Sequence, residues 1–250
     1  MDIGVRRVFL LARAEWDDQR LYKKTPQDQI REENVIHRDI IQGNFEEHYR
    51  NLTYKHVMGL QWVNTFCSQA KYIIKMDDDI IVDIYRFTDI LKYRYINRSN
   101  LMIGFLIIGG NVIRDRRSKW YVKEDDLGGK IFPNYMSGWA YAISSDASKK
   151  IVNISQNATF FWVDDVFVSG ILADAAGVKR EGINSMYTYD RNYLRCCVKY
   201  KDYLCDYMVG SNSGSIRLME KLLQHARNCH RLNCTERPLE KNLLKTGIIK

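Results

Sequence analysis

Hydrophobic and polar positions alternate between two periods along the first two-thirds of the chain. "RRVFLLA" (6–12) is a short apolar run bounded by charge, which predicts a buried strand. Residues 15–35 are polar and predict loop or helix, broken at Pro26. "DIIQGNF" (39–45) predicts a second strand that ends at Gly43. In 46–67, Tyr49, Leu52, Val57, Leu60, Val63 and Phe66 recur at a rough three-four spacing, the mark of an amphipathic helix. "AKYIIKM" (70–76) predicts a third strand, "IIVD" a fourth, and 85–96 a helix.

Further along, "LMIGFLIIGG" (101–110) predicts a strand, and "KWYVKEDD" (119–126) and "NYMSGWAYAIS" (134–144) predict two more. "SDASKKIVNIS" predicts a helix, and so does the stretch after Asp164 and Asp165, with Gly177 as its C-terminal cap. Beyond about 190 the pattern weakens, and no internal repeat is visible. Strands alternating with helices predict an α/β fold, a mixed sheet flanked by helices, with binding groups gathered past the strand ends.

That placement draws attention to "KMDDDIIVD" (75–83), where Asp77, Asp78 and Asp79 stand together between apolar runs. Adjacent carboxylates repel. Either they form a solvated turn, or a cation sits on them. In extended backbone, residues two apart point the same way, so Asp77 and Asp79 can face one ligand. Carboxylates suit hard divalent cations such as Mg²⁺ or Mn²⁺. An EF-hand is excluded, because Val82 stands where its glycine belongs and Thr88 where its glutamate belongs. The second acidic pair, Asp164–Asp165, follows "FFW". Two roles are open to Asp165. Aromatic surroundings suit a general base, and the helix that follows suits an N-cap.

Composition narrows the partners. The 250 residues fit one large domain or two small ones. Lys plus Arg is 38 and Asp plus Glu is 30, for a formal charge of +8. The excess is spread along the chain, its densest run being "RDRRSK" (114–119). This reads as a solvated basic face and gives no expectation of nucleic-acid binding. Cys67, Cys196, Cys197, Cys205, Cys229 and Cys234 show no zinc-like C-x-x-C spacing. Their crowding at one end is compatible with disulfides, or with buried thiols. Sequons at Asn51, Asn97, Asn153, Asn157 and Asn233 exceed the roughly one expected by chance. Together these favour a lumenal or secreted chain. No apolar run reaches the length of a membrane span, and Val8–Ala12 is too short for a signal sequence.

The ordered series of segments resembles the β-1,3-glycosyltransferase family of galactosyl- and N-acetylglucosaminyltransferases. The segments are "DIIQGNFEEHYRNLTYKHVMGLQWVNTFC", "AKYIIKMDDDIIVD", "RDRRSKWYV", "FPNYMSGWAYAIS" and "VDDVFVSGILA". The resemblance implies a GT-A fold, in which a nucleotide-binding sheet joins an acceptor-binding half. It also implies Mn²⁺, a UDP-sugar donor and inverting transfer to a hydroxyl of a glycan on glycoprotein or glycolipid. By that resemblance Asp77, Asp78 and Asp79 form the metal motif and Asp165 is the base. Lys75 lies on the donor side. Arg116, Lys119, Trp120, Tyr135, Gly138 and Tyr141 build the sugar pocket.

The resemblance further implies residence at the lumenal face of the Golgi membrane, through an N-terminal anchor not visible in this chain. The expected organisation is a catalytic domain over 1–190, lacking the family's first strand, with 191–250 as a cysteine-containing extension of it. Family members supply a late histidine near an L-I-A-x-H segment. The counterpart here, "YMVGSNS", has none, which leaves a third metal ligand unassigned. Two rival readings are a binding or chaperone-like relative on the same fold, and a metal-dependent nuclease or phosphatase using Asp77 to Asp79.

Overall fold

The computed structural model describes residues 4–13, 25–212 and 214–238. They form two compact units, each assembled from separate stretches of chain.

The first unit comprises Met1–Lys71, Ile108–Tyr135 and Ser145–Val178. Strands β1 (Phe9–Arg13) and β2 (Ile40–Glu46) pair in parallel, Phe9 opposite Ile40. The strand predicted to end at Gly43 runs through it. The glycine leaves room for the Phe45 ring, which an added Cβ would meet at 2.2 Å. Between these strands lies helix α1 (Pro26–His37). Pro26 opens this helix rather than breaking it. Its missing N–H costs nothing at the first position, and Thr25 and Asp28 close a reciprocal capping box. The rest of the predicted break, 14–24, lies outside the described residues.

Helix α2 (Leu52–Phe66) follows a 3₁₀ turn at Tyr49–Asn51. Its buried face is Thr53, His56, Gly59 and Leu60. This differs from the predicted apolar stripe, since Tyr49 and Phe66 are exposed. The close approach of β1 explains the difference. A Cβ at Gly59 would lie 2.5 Å from Leu10 Cδ1, so only a small, partly polar face fits there. Helix α4 (Ser145–Ser155) packs on α2 with Ser148 Oγ donating to Asn64 Oδ1 at 3.0 Å. The predicted strand at 119–126 is instead turn and coil. The Arg114 guanidinium takes up the carbonyls of Val122, Leu127 and Gly129 at 2.9, 2.6 and 2.7 Å, groups a sheet would otherwise have to satisfy.

The unit ends in a π-helical stretch, Val166–Leu172, continued by α5 (Ala173–Ala175). Gly177, at φ +62°, terminates it as predicted. Its N–H reaches Asp174 O and that of Val178 reaches Ala173 O, a Schellman pair.

The second unit comprises Tyr72–Ile107, Met136–Ser144 and Lys179–Lys250. One sheet has the order β3-β6-β5-β7, with β3 (Tyr72–Met76), β5 (Leu101–Ile107), β6 (Tyr135–Ser144) and β7 (Lys179–Gly182). Here β3 is antiparallel to β6, and β5 is parallel to β7. A three-stranded sheet joins β4 (Ile80–Val82), β8 (Tyr187–Thr188) and β9 (Val209–Ser211), with β9 in the middle. Ile80 and Val82 enter one core with Phe87, Tyr95, Leu101 and Met208, while Ile81 enters a second with Leu194, Leu218 and Leu222. That alternation is the strand period expressed over three residues.

Helices α3 (Ile84–Tyr93), α6 (Arg191–Lys199) and α7 (Ile216–Leu232) complete the unit. Disulfides Cys197–Cys205 and Cys229–Cys234 close short loops, and Cys67 and Cys196 are free thiols. The α/β class expected from the alternation is what the structure shows. Among the described residues, no helix is long and apolar enough to cross a membrane.

Candidate functional site

The acidic run lies in the second unit, in the tight turn between β3 and β4. Asp77 N–H donates to Trp139 O at 3.1 Å, and Ile80 N–H returns to Asp77 O at 3.4 Å. Asp78 and Asp79 form the exposed tip. Lys75 bears directly on the repulsion between them. Its ammonium donates to Asp77 Oδ1 and to Gly138 O, both at 2.6 Å, from a side chain 19% exposed. One carboxylate of the three is thereby neutralised by the chain itself. The backbone N–H of Asn212, just past β9, donates to Asp79 O at 3.3 Å, and the Asn212 side chain accepts from Gly214 N–H at 2.7 Å. The described part of "YMVGSNS", 207–212, is therefore the strand end that abuts the acidic turn.

Asp164 and Asp165 lie in the first unit, at the start of the helical stretch. Asp165 has helical dihedrals, φ −62° and ψ −49°, and makes no capping hydrogen bond. The N-cap role open to it in the sequence is thus excluded, because a capping side chain needs a residue outside the helix. Facing the pair is His56, a residue the sequence reading passed over. Its imidazole, 3% exposed, places Nδ1 3.0 Å from Asp164 Oδ2. Ligand atoms of His56, Asp164 and Asp165 all lie within 4.8 Å of one another, the one such three-residue group among the described residues. Asp77, Asp78 and Asp79 do not converge in this way. No local pattern marks His56 in the sequence, since its partner Asp164 lies 108 positions away.

The residues that the resemblance assigned to a sugar pocket fall into three settings. Lys119 and Trp120 sit on the exposed turn of the first unit beside Tyr49. The Trp120 indole donates to the Tyr49 hydroxyl at 2.9 Å, and the Lys119 ammonium lies 4.4 Å from the Trp120 ring centroid and 5.5 Å from that of Tyr49. Arg116 is exposed on the same turn. Tyr135 packs edge-on against Phe132 and lies over Gly170, where a Cβ would meet its own at 3.4 Å. Gly138 and Tyr141 belong to β6 in the second unit. Gly138 supplies the carbonyl that holds Lys75, and Tyr141 is fully buried opposite Gly104.

The galactosyltransferase family model matches residues 2–184. Beta-1,3-galactosyltransferase 5 of Pan paniscus is 32% identical over 171 residues, 68% of this chain and 56% of that protein. The Homo sapiens counterpart is 32% identical over 171 residues, 68% of this chain and 54% of its own length. Beta-1,3-galactosyltransferase 1 of Mus musculus is 38% identical over 144 residues, 56% of this chain and 43% of its own. The chain thus spans about half the length of the curated relatives it matches. A solved glycosyltransferase involved in the glycosylation of the major capsid of PBCV-1 aligns at 13% identity. The alignment covers 89% of this chain and 100% of that one, with a TM-score of 0.38, too low to carry an argument. With the family model extending over most of the chain and taking in both acidic elements, this chain belongs to the galactosyltransferase family.

Proposed function

We propose that this chain transfers a hexose or N-acetylhexosamine, galactose before the others, from a UDP-sugar to a hydroxyl of an acceptor glycan, with inversion, to form a β-1,3 linkage. The observation that carries the reading is the family match over residues 2–184, which includes both the Asp77–Asp79 turn and Asp165. The curated relatives named above are beta-1,3-galactosyltransferases, in support of the sugar and the linkage.

In this reading Asp165 accepts the proton of the acceptor hydroxyl as that oxygen attacks the anomeric carbon. Inversion requires one such base and no covalent nucleophile. Asp77, Asp78 and Asp79 fit a hard cation, since they offer only carboxylate oxygen on an exposed turn held at both ends. They would hold Mn²⁺, which when bound stabilises the charge of the departing diphosphate. Lys75 would stand on the donor side, holding Asp77 until donor and cation arrive. Arg116, Lys119, Trp120, Tyr135, Gly138 and Tyr141 are the residues this reading assigns to the donor sugar. The two disulfides and the sequons support a lumenal setting, and the Golgi is the compartment this reading assigns.

Calorimetric titration of UDP, first with Mn²⁺ and then with EDTA, tests donor binding. Incubation with UDP-galactose and a β-N-acetylglucosaminide, with the product linkage read by NMR, tests the reaction. Metal-dependent binding and a β-1,3 product are expected. A folded chain that neither binds UDP nor turns over any UDP-sugar would reject the proposal.

A further inference from the structure

We propose that His56 is a positioning residue for transfer, acting through Asp164 on Asp165. The inference rests on the reading of Asp165 as the base.

Three side chains on successive turns of one helical edge grip one segment of the first unit. The Arg50 guanidinium lies 4.4 Å from the Trp162 ring centroid. Thr53 Oγ1, buried, donates to Phe161 O at 2.8 Å. His56 Nδ1 meets Asp164 Oδ2 at 3.0 Å. The spacing of three keeps these residues on a common side of α2 and its 3₁₀ lead-in. The segment they hold, 161–164, leads straight into Asp165.

The chemistry of the pair fixes the imidazole. An ionised carboxylate only accepts hydrogen bonds, so Nδ1 must carry a proton whether the ring is neutral or charged. Burial makes the bond costly to break, because an abandoned Asp164 carboxylate would face a largely dry site. The adjacent Asp165 carboxylate lies within 4.8 Å of both partners. With Asp164 tied to His56, the orientation of the residue next to Asp165 is set, and the two share one stretch of backbone. The backbone around Asp165 is held as well, since Ser169 Oγ donates to Asp165 O at 2.6 Å and Phe167 N–H to Val163 O at 2.8 Å.

The test compares His56→Leu, His56→Gln and Asp165→Asn, assayed with UDP-galactose and benzyl N-acetylglucosaminide and titrated with UDP. His56→Leu is expected to lower kcat at least tenfold while KM for the donor and UDP affinity stay near wild type. His56→Gln, which keeps a donor group, is expected to recover most of the loss. Unchanged kcat in His56→Leu, alongside an inactive Asp165→Asn, overturns the inference and leaves the base reading intact. A fully active Asp165→Asn rejects the base reading itself.

Two measurements do not depend on how the His56 variants fold. Nitrogen-15 NMR of the wild-type imidazole is expected to show the Nδ1-protonated form, and a ring protonated only at Nε2 would overturn the pairing. Broadening of the His56 ring by Mn²⁺ that persists in an Asp77→Asn, Asp79→Asn double variant would make His56 a metal ligand and overturn the positioning role.

Discussion

The Lys75 ammonium and the Asp77 carboxylate lie 2.6 Å apart, in a pair half-shielded from water. An internal cation therefore occupies the first carboxylate of the acidic turn. A metal ion binding there displaces Lys75 or shares Asp77 with it. Lys75→Met is expected to tighten binding of Mn²⁺ alone by several-fold, as followed by electron paramagnetic resonance of free Mn²⁺. Weaker binding in the variant would mean that Lys75 orders the turn for the metal rather than competing with it.

The two acidic elements are expected to separate cleanly by variant. Asp79→Ala should abolish Mn²⁺-dependent UDP binding in calorimetry. Asp165→Asn should retain that binding and lose transfer by a factor of ~10² or more, the span typical of general-base loss. Retained metal-dependent UDP affinity in Asp79→Ala would remove the aspartate from the metal site.

Asn212 stands against Asp79 in the segment where relatives of this family were expected to carry a histidine. The resemblance implies that such a late histidine would serve the metal as a third ligand. Asn212→His should tighten Mn²⁺-dependent UDP binding several-fold, at some cost in stability from the lost bond to Gly214 N–H. Equal affinity in wild type and variant would place the missing ligand elsewhere.

Acid sensitivity should trace in part to His225. This residue and Asp83 line one small cavity in the second unit with Met208 and Leu222. Burial lowers the His225 pKa from its usual 6.5, opposed by the Tyr203 backbone and the Asp83 charge and reinforced by Arg237 and Lys201. The unfolded chain therefore takes up a proton at His225 before the folded chain does. Stability from this group is complete above pH 6.5 and declines as pH falls through that value toward the folded pKa. Burial raises the pKa of Asp83, so it contributes the opposite slope between 3.8 and its folded pKa. His225→Gln should shrink the drop in Tm between neutral pH and about pH 5.5. An unchanged drop would assign the sensitivity to other groups.

Much of the fold could be read from periodicity where an element was long or fully apolar. The runs that became β2, β3, β5 and β6 had few polar interruptions, and Gly177 marked a helix end that has its expected left-handed backbone. The stretch 119–126 misled because Trp120, Tyr121 and Val122 favour strands, whereas a single side chain, Arg114, satisfies the surrounding carbonyls. Past 190, β9 is three residues long and α6 nine, and although α7 spans 17 residues, the core it enters depends on β4, distant in sequence. At the site, Asp77–Asp79 and Asp165 stood out as charge amid apolar residues. His56 did not, because a single polar residue on a helix gives no local hint that a partner 108 positions away will meet it.

The three residues of β4 also set a rule for how this region can change. Each end of the acidic turn is pinned to a different neighbouring strand, and the isoleucines and valine that follow alternate between two cores. Adding or removing one residue there would exchange the occupants of both cores at once. Length variants made by random insertion should therefore be lost from 76–82 and recovered from the coil at 123–130. A side chain in the acidic turn can be exchanged without disturbing either core, whereas a change in its residue count disturbs both.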